Sequence, residues 1–218
     1  QRKLRRSLEK ANSSLYVGHL FTVEHWTFIH YHTKFGGKHM KISPTLTEVK
    51  EIAKTGKYDI LPVSCEILSD FITPIEAMRI LQNVSTHCYL LESAQANEAW
   101  GRYTFLGYDP KLEINCIDGH MKLGKLSVET ENPSEYIRQI LSEYKSPKFD
   151  YLPSFTGGLV GYFSYDYLGY KEKSIRGKAS DTEDFKDVDL MLIDKVIALD
   201  NLCQKIILIA KMSLDAPE

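Results

Sequence analysis

A chain of 218 residues, 43% of them hydrophobic and 11% aromatic, holds enough apolar side chains for a packed core. Its net charge of -2 gives no electrostatic footprint for nucleic acid or an anionic membrane surface. No apolar run reaches the roughly 18 to 20 residues needed to span a bilayer as a helix.

The charge is unevenly distributed. Residues 1–39 carry Arg2, Lys3, Arg5, Arg6, Lys10, Lys34 and Lys38 against only Glu9 and Glu24, together with five of the seven histidines. The composition changes at Met40, so residues 1–39 are expected to be an upstream or non-native extension and residues 40–218 the domain. Within the extension His25, His30 and His32 raise the question of a metal, but no cysteine or carboxylate stands at ligand spacing beside them. Glu24 and the histidines also interrupt any signal-peptide apolar core. Cys65, Cys88, Cys116 and Cys203 lack a paired spacing and are expected to be buried, reduced thiols of a cytoplasmic protein.

In chain order, "SPTLTEVKEIAKTG" predicts a helix capped by Ser43 or Thr45, with Pro44 in its first turn and Gly56 at its end. Leu46, Val49 and Ile52 or Ala53 would form its apolar face. "DILPVSCEIL" predicts a strand, with Pro62 pointing to an edge position. "TPIEAMRILQN" has Thr73 as cap, Pro74 at the first helical position and Glu76 three residues on, a capping box. "HCYLLES" predicts a buried strand ending in Glu92-Ser93, and "GRYTFLGYDP" a second strand. "KLEINCIDGHMKLGK" predicts a hairpin turned by Asp118-Gly119. "NPSEYIRQILSEYK" predicts a third helix, capped by Asn132 with Glu135 completing the box. "FTGGLVGYFSYDYLGY" predicts a glycine- and aromatic-rich strand. "VDLMLIDKVIALDNLCQKIILIAKM" predicts one long hairpin closed near Asp200-Asn201. Tight hairpins demand antiparallel pairing. The fold class is therefore α+β, a largely antiparallel, sandwich-like sheet core with a few helices packed outside.

No catalytic constellation emerges from spacing. Gly157, Gly158 and Gly161 loosely match a phosphate loop, but a phosphate loop opens a helix and Tyr162, Phe163, Ser164 and Tyr165 are strand formers. The favoured role for these glycines is steric, allowing another strand or a large ring to approach the backbone. Arg102 among aromatics suggests base stacking, which the acidity of residues 40–218 disfavours.

The segments "LPVSCEI", "YLLESA", "GRYTFLGYDP", "FTGGLVGYFSYDYLGYKE" and "VDLMLIDKVIALDN" occur in an order and at distances that resemble the N-terminal domain of anthranilate synthase component I, of the chorismate-utilising enzymes. The likeness runs from about Met40 to Met212. A departure is Gly169, where family members often carry a basic residue. The resemblance implies a lyase subunit of tryptophan biosynthesis that makes anthranilate and pyruvate from chorismate and ammonia. It implies Mg2+, held by a C-terminal chorismate-binding half that would begin after Glu218, so that this stretch alone would be inactive and would bind no metal itself. It implies a glutamine amidotransferase partner, component II, and L-tryptophan as feedback effector. On that resemblance Leu90, Leu91, Glu92 and Ser93 line the tryptophan pocket, while Arg102 either answers the effector carboxylate or covers a surface. Aminodeoxychorismate synthase component I, an isochorismate or salicylate synthase, and a free-standing ligand-binding module are the rival readings.

Overall fold

The chain divides into two units at Lys41–Ile42, of which the second, Ile42–Glu218, is compact. The computed structural model describes residues 41–70, 72–93, 101–174 and 185–214, and every described element belongs to the second unit. The histidines of the first 39 residues lie outside the described residues.

Eleven strands and three helices are described. In chain order they are β1 Ile42–Ser43, α1 Leu46–Lys54, β2 Ile60–Leu68, α2 Pro74–Gln82, β3 Cys88–Leu91, β4 Tyr103–Tyr108, β5 Leu112–Ile117, β6 His120–Leu123 and β7 Leu126–Glu129. There follow α3 Pro133–Ser142, β8 Gly158–Phe163, a 3-10 turn Tyr165–Tyr170, β9 Val188–Ile193, β10 Lys195–Asp200 and β11 Lys205–Ser213. The strands form two sheets, ordered β1-β2-β11-β10-β4-β3 and β7-β6-β5-β9-β8. Every strand pair in them is antiparallel. With few helices, this is the α+β architecture that the hairpins and helix signatures predict.

One face of the six-stranded sheet packs Leu106, Leu199 and Ile206 beneath Ala77 and Leu81 of α2. The other face supplies Tyr89, Val196, Ala198, Ile207 and Ile209 to a second cluster. That cluster also takes in Ile193, Val160 and Met191 from the five-stranded sheet, so apolar burial joins the two layers.

Local chemistry explains most elements. Thr45 and Thr73 cap α1 and α2, each completing a capping box with Glu48 or Glu76. Pro44 precedes the first cap and so lies outside α1. At α3 Asn132 makes no side-chain bond to the helix backbone; its amide donates to Glu135 Oε1 at 2.6 Å and its oxygen accepts from Ser134 Oγ at 2.7 Å. The expected box is thereby replaced by side-chain pairing. Asp118 and Gly119, with φ of 46° and 82°, make the predicted two-residue turn.

Four departures from the sequence expectations have physical causes. Pro62 lies in a strand with neighbours on both sides, but β1 covers only Ser64 and Cys65. At Pro62 the strand is therefore paired with β11 alone, which tolerates a missing N–H. The apolar run from Val188 to Met212 is not one hairpin: β9 belongs to the five-stranded sheet and β10 to the six-stranded one, and Asp194 is the corner between them. The strand expected over the glycine-rich segment ends at Phe163, and "YDYLGY" is a 3-10 turn. Of the four thiols, Cys116 is buried, Cys65 and Cys88 are half-buried, and Cys203 is exposed, because it sits in the β10–β11 turn.

Candidate functional site

Among the described residues, strand β3 is an edge, hydrogen-bonded only to β4. It is therefore half-covered rather than the buried strand that its composition suggests. Its register is Cys88 opposite Tyr108, Tyr89 opposite Gly107, Leu90 opposite Leu106 and Leu91 opposite Phe105. Gly107 is required at its position, since a Cβ there would lie 2.2 Å from Cε1 of Tyr89, whose ring crosses the strand.

Because side chains alternate across a strand, Leu90 and Leu91 have different fates. Leu90 packs with Leu106 and Leu199 against the α2 side of the sheet. Leu91 shares the opposite face with Phe105 and is 47% exposed. Glu92 and Ser93 follow Leu91, the end of β3, and are exposed. The four consecutive residues singled out in the sequence thus form an open sheet end, apolar at its base and polar at its rim.

The neighbouring strand reaches the same end with Arg102 just before β4. Arg102 Nε donates to both carboxylate oxygens of Asp200, at 3.1 and 3.2 Å, and Nη2 donates to Oδ2 at 2.6 Å. The guanidinium also lies over the Tyr103 ring, 4.9 Å from its centre. Asp200 is only 3% exposed. Its Oδ1 accepts the backbone N–H groups of Leu202 and Cys203 at 3.1 and 3.0 Å, which fixes the β10–β11 turn. Asn201 completes the clasp, its N–H donating to the Arg102 carbonyl at 2.8 Å and its side-chain amide to Thr104 Oγ1 at 3.3 Å.

The electrostatics follow from these contacts. Burial pushes the Asp200 carboxyl upward, but the hydrogen bonds from Arg102 and the backbone outweigh it and hold the group below the usual carboxylate range. The same hydrogen bonds push the Arg102 guanidinium further up, so both partners are charged at neutral pH. Asp200, Asn201 and Tyr103 were not among the site candidates read from the sequence. The signal was there for Asp200: a carboxylate ending an alternating apolar strand, the same pattern that drew attention to Glu92.

Of the three glycines near residue 160, Gly157 and Gly161 allow a close approach of backbone, whereas Gly158 has open space where a Cβ would go. A Cβ on Gly161 would stand 2.0 Å from the Asp189 carbonyl oxygen, and one on Gly157 would stand 2.7 Å from that of Ile193. A shallow cleft of about 350 Å3 beside them is lined by Tyr162, Ser164, Tyr165, Asp166 and Phe185, on the other sheet from Leu90–Ser93. Among the described residues no group of three or more His, Cys, Asp or Glu side chains could hold a metal ion. Nor is any described helix long and apolar enough to cross a membrane.

Two antiparallel sheets with three helices define an α+β class of domain, and comparison with known proteins narrows it. No family model matches the chain. It is 34% identical over 176 residues to anthranilate synthase component 1 of Acetivibrio thermocellus, covering 79% of this chain and 35% of that protein. It is 36% identical over 155 residues to anthranilate synthase component 1 of Pseudomonas aeruginosa, covering 68% and 31%. The Aquifex aeolicus protein of the same name is 33% identical over 171 residues, covering 77% and 34%. A crystal structure of anthranilate synthase component I from Streptococcus pneumoniae aligns with 70% of this chain and 32% of that one, at 25% identity and a TM-score of 0.47. The chain is therefore a homologue of anthranilate synthase component 1 over most of its length, and it spans about a third of the length of those relatives.

Proposed function

We propose that this chain is the N-terminal, regulatory part of an anthranilate synthase large subunit, and that the open end of β3 senses L-tryptophan. The observation that carries the reading is the placement of Leu91, Glu92 and Ser93 at an exposed sheet end, in a chain homologous to component 1 proteins.

The chemistry of an amino-acid effector suits that end. Tryptophan brings an ammonium, a carboxylate and a large apolar ring. The Glu92 carboxylate is a partner for the ammonium, and the Ser93 hydroxyl can donate to a carboxylate or accept from an amine. Leu91 supplies apolar surface for the indole, and Arg102 the complementary charge for the carboxylate.

The activity of the whole subunit follows from the same reading: chorismate and ammonia to anthranilate and pyruvate. Mg2+ would supply Lewis-acid assistance in the chorismate-binding half. The residues described here offer it no ligand cluster. Ammonia would come from a glutamine amidotransferase, component II, in the cytoplasm. The test is the product of the full-length subunit supplied with chorismate, Mg2+ and ammonium. Anthranilate is expected; 4-amino-4-deoxychorismate would reassign the chain to the aminodeoxychorismate branch. A gene that ends at Glu218 would favour a free-standing ligand-binding module instead.

A further inference from the structure

Asp194 is the single residue between β9 and β10, and the chain changes sheet at it. Its Oδ1 is out of contact with water and has no hydrogen-bond partner among the described residues. The titratable groups whose charge acts on this corner are Lys195 of β10, Lys211 of β11, Lys111 just before β5, Tyr108 and Asp109 at the end of β4, and Tyr144 after α3. All three ammonium groups are engaged elsewhere. Lys195 pairs with Asp109 and lies over the Tyr108 ring, 5.5 Å from its centre. Lys111 Nζ lies 5.3 Å from the centre of the Tyr144 ring. Lys211 Nζ donates to the Gly157 carbonyl oxygen at 3.1 Å. A carboxylate oxygen shut off from water and bonded to none of these lysines is unfavourable as an anion and tolerable as a neutral acid. Burial accordingly pushes the Asp194 carboxyl up, by more than Lys195 and Lys111 pull it down.

Lys211 is the lysine placed to change partners. In the β10–β11 ladder Val196 faces Ile209 and Lys195 faces Ala210, so Asp194 comes next in line with Lys211, whose N–H donates to the Asp194 carbonyl at 2.8 Å. Residues directly opposed on antiparallel strands hold their Cβ atoms about 5 Å apart. Ile207 and Ile209 line the face between the two sheets, and alternation puts Lys211 on that face. From there its stem crosses to the other sheet. A Cβ on Gly157 would stand 3.2 Å from Lys211 Cε, so a glycine there leaves the lysine room to reach the carbonyl. The ammonium thus ties β11, in the six-stranded sheet, to the residue just before β8, in the five-stranded one. One donor group stands between two acceptors, the Gly157 carbonyl and the Asp194 carboxyl.

We propose that Asp194 and Lys211 form a proton-operated tether between the two sheets. With Asp194 neutral, Lys211 holds the Gly157 carbonyl, the arrangement seen here. When Asp194 gives up its proton to water, Lys211 keeps its own charge, turns across the ladder to the carboxylate and releases Gly157. The start of β8 is then held by its ladder with β9 alone. The device is independent of the tryptophan-sensing reading.

The experiment is an NMR pH titration of the chain, following the Asp194 carboxyl carbon and the Gly158 amide nitrogen, whose shift reports the hydrogen bond to the Gly157 carbonyl. Asp194 is expected to titrate above the ordinary carboxyl value of about 3.9, and Gly158 to move with the same midpoint. Asp194→Asn is expected to hold the Gly158 signal constant through that range. Lys211→Met is expected to abolish the Gly158 response while Asp194 still titrates. The folded carboxyl binds its proton ahead of the unfolded chain, so the wild type gains stability as pH falls through the folded midpoint and Asp194→Asn does not. The Tm of Asp194→Asn minus that of the wild type is therefore expected to fall between pH 7 and pH 4. An Asp194 midpoint at or below the ordinary value, a Gly158 signal that does not titrate or follows a different midpoint, or a Gly158 response unchanged in Asp194→Asn would each overturn the proposal. Should Asp194→Asn be unfolded, the wild type and Lys211→Met decide: a Gly158 response that survives loss of the lysine overturns the tether.

Discussion

At Asp200 a full negative charge sits almost out of water and is held there by Arg102 and two backbone N–H groups. Its folded carboxyl titrates below the ordinary range, so on acidification the unfolded chain binds the proton first. The stabilisation is complete above the ordinary carboxyl pKa, about 3.9, and is lost as pH falls through the lower folded value. Comparing urea midpoints at pH 7 and pH 3, Asp200→Asn is expected to lose less stability than the wild type between the two. Equal losses would show that the pair does not contribute in this way. A second residue-scale prediction separates crowding from backbone strain. Gly158, with φ of 144°, has open space where a Cβ would go, whereas Gly161, with φ of 150°, has the Asp189 oxygen at 2.0 Å. Gly158→Ala is expected to cost about 1–3 kcal/mol, the usual price of a strained dihedral. Gly161→Ala is expected to cost clearly more, by chemical denaturation. A smaller loss at Gly161 would contradict the steric role.

The elements were legible wherever a local rule sets them. Thr73, Pro74 and Glu76 spell out the start of α2, and both bonds of the box are present. Thr73→Ala is accordingly expected to destabilise the protein by about 1 kcal/mol in urea unfolding. No change would mean that α2 packing alone sets that helix end. Alternation likewise marked Leu112, Ile114 and Cys116 as inward-facing, and all three are buried. What alternation does not encode is which sheet a strand joins. The run from Val188 to Asp200 keeps its apolar character through a change of sheet, and only Asp194-Lys195 hints at the corner. β1 and β7, two and four residues long, are too short to carry a period at all. Edge position is also set by tertiary pairing, which is why β3 read as buried from "CYLL" and is half-open in the fold. The candidate site was legible in part for the same reason. Glu92 and Ser93 stand out locally as polar residues closing an apolar run. The Arg102–Asp200 contact joins residues 98 positions apart and leaves no local trace beyond a charged strand end.

For the molecule as a whole, the decisive fact is proportion: the chain matches about a third of each component 1 relative. On the reading proposed above, regulation and catalysis lie in different parts of one subunit. Residues 1–218 alone, given chorismate, Mg2+ and ammonium, are then expected to form no anthranilate, monitored by its fluorescence; measurable turnover would contradict that division. The most direct test of the central claim is tryptophan inhibition of the full-length subunit carrying Ser93→Phe. A phenyl ring at the rim of β3 is expected to raise the tryptophan concentration needed for half-inhibition at least tenfold. An inhibition curve that superimposes on that of the wild type would contradict the claim that the end of β3 senses tryptophan.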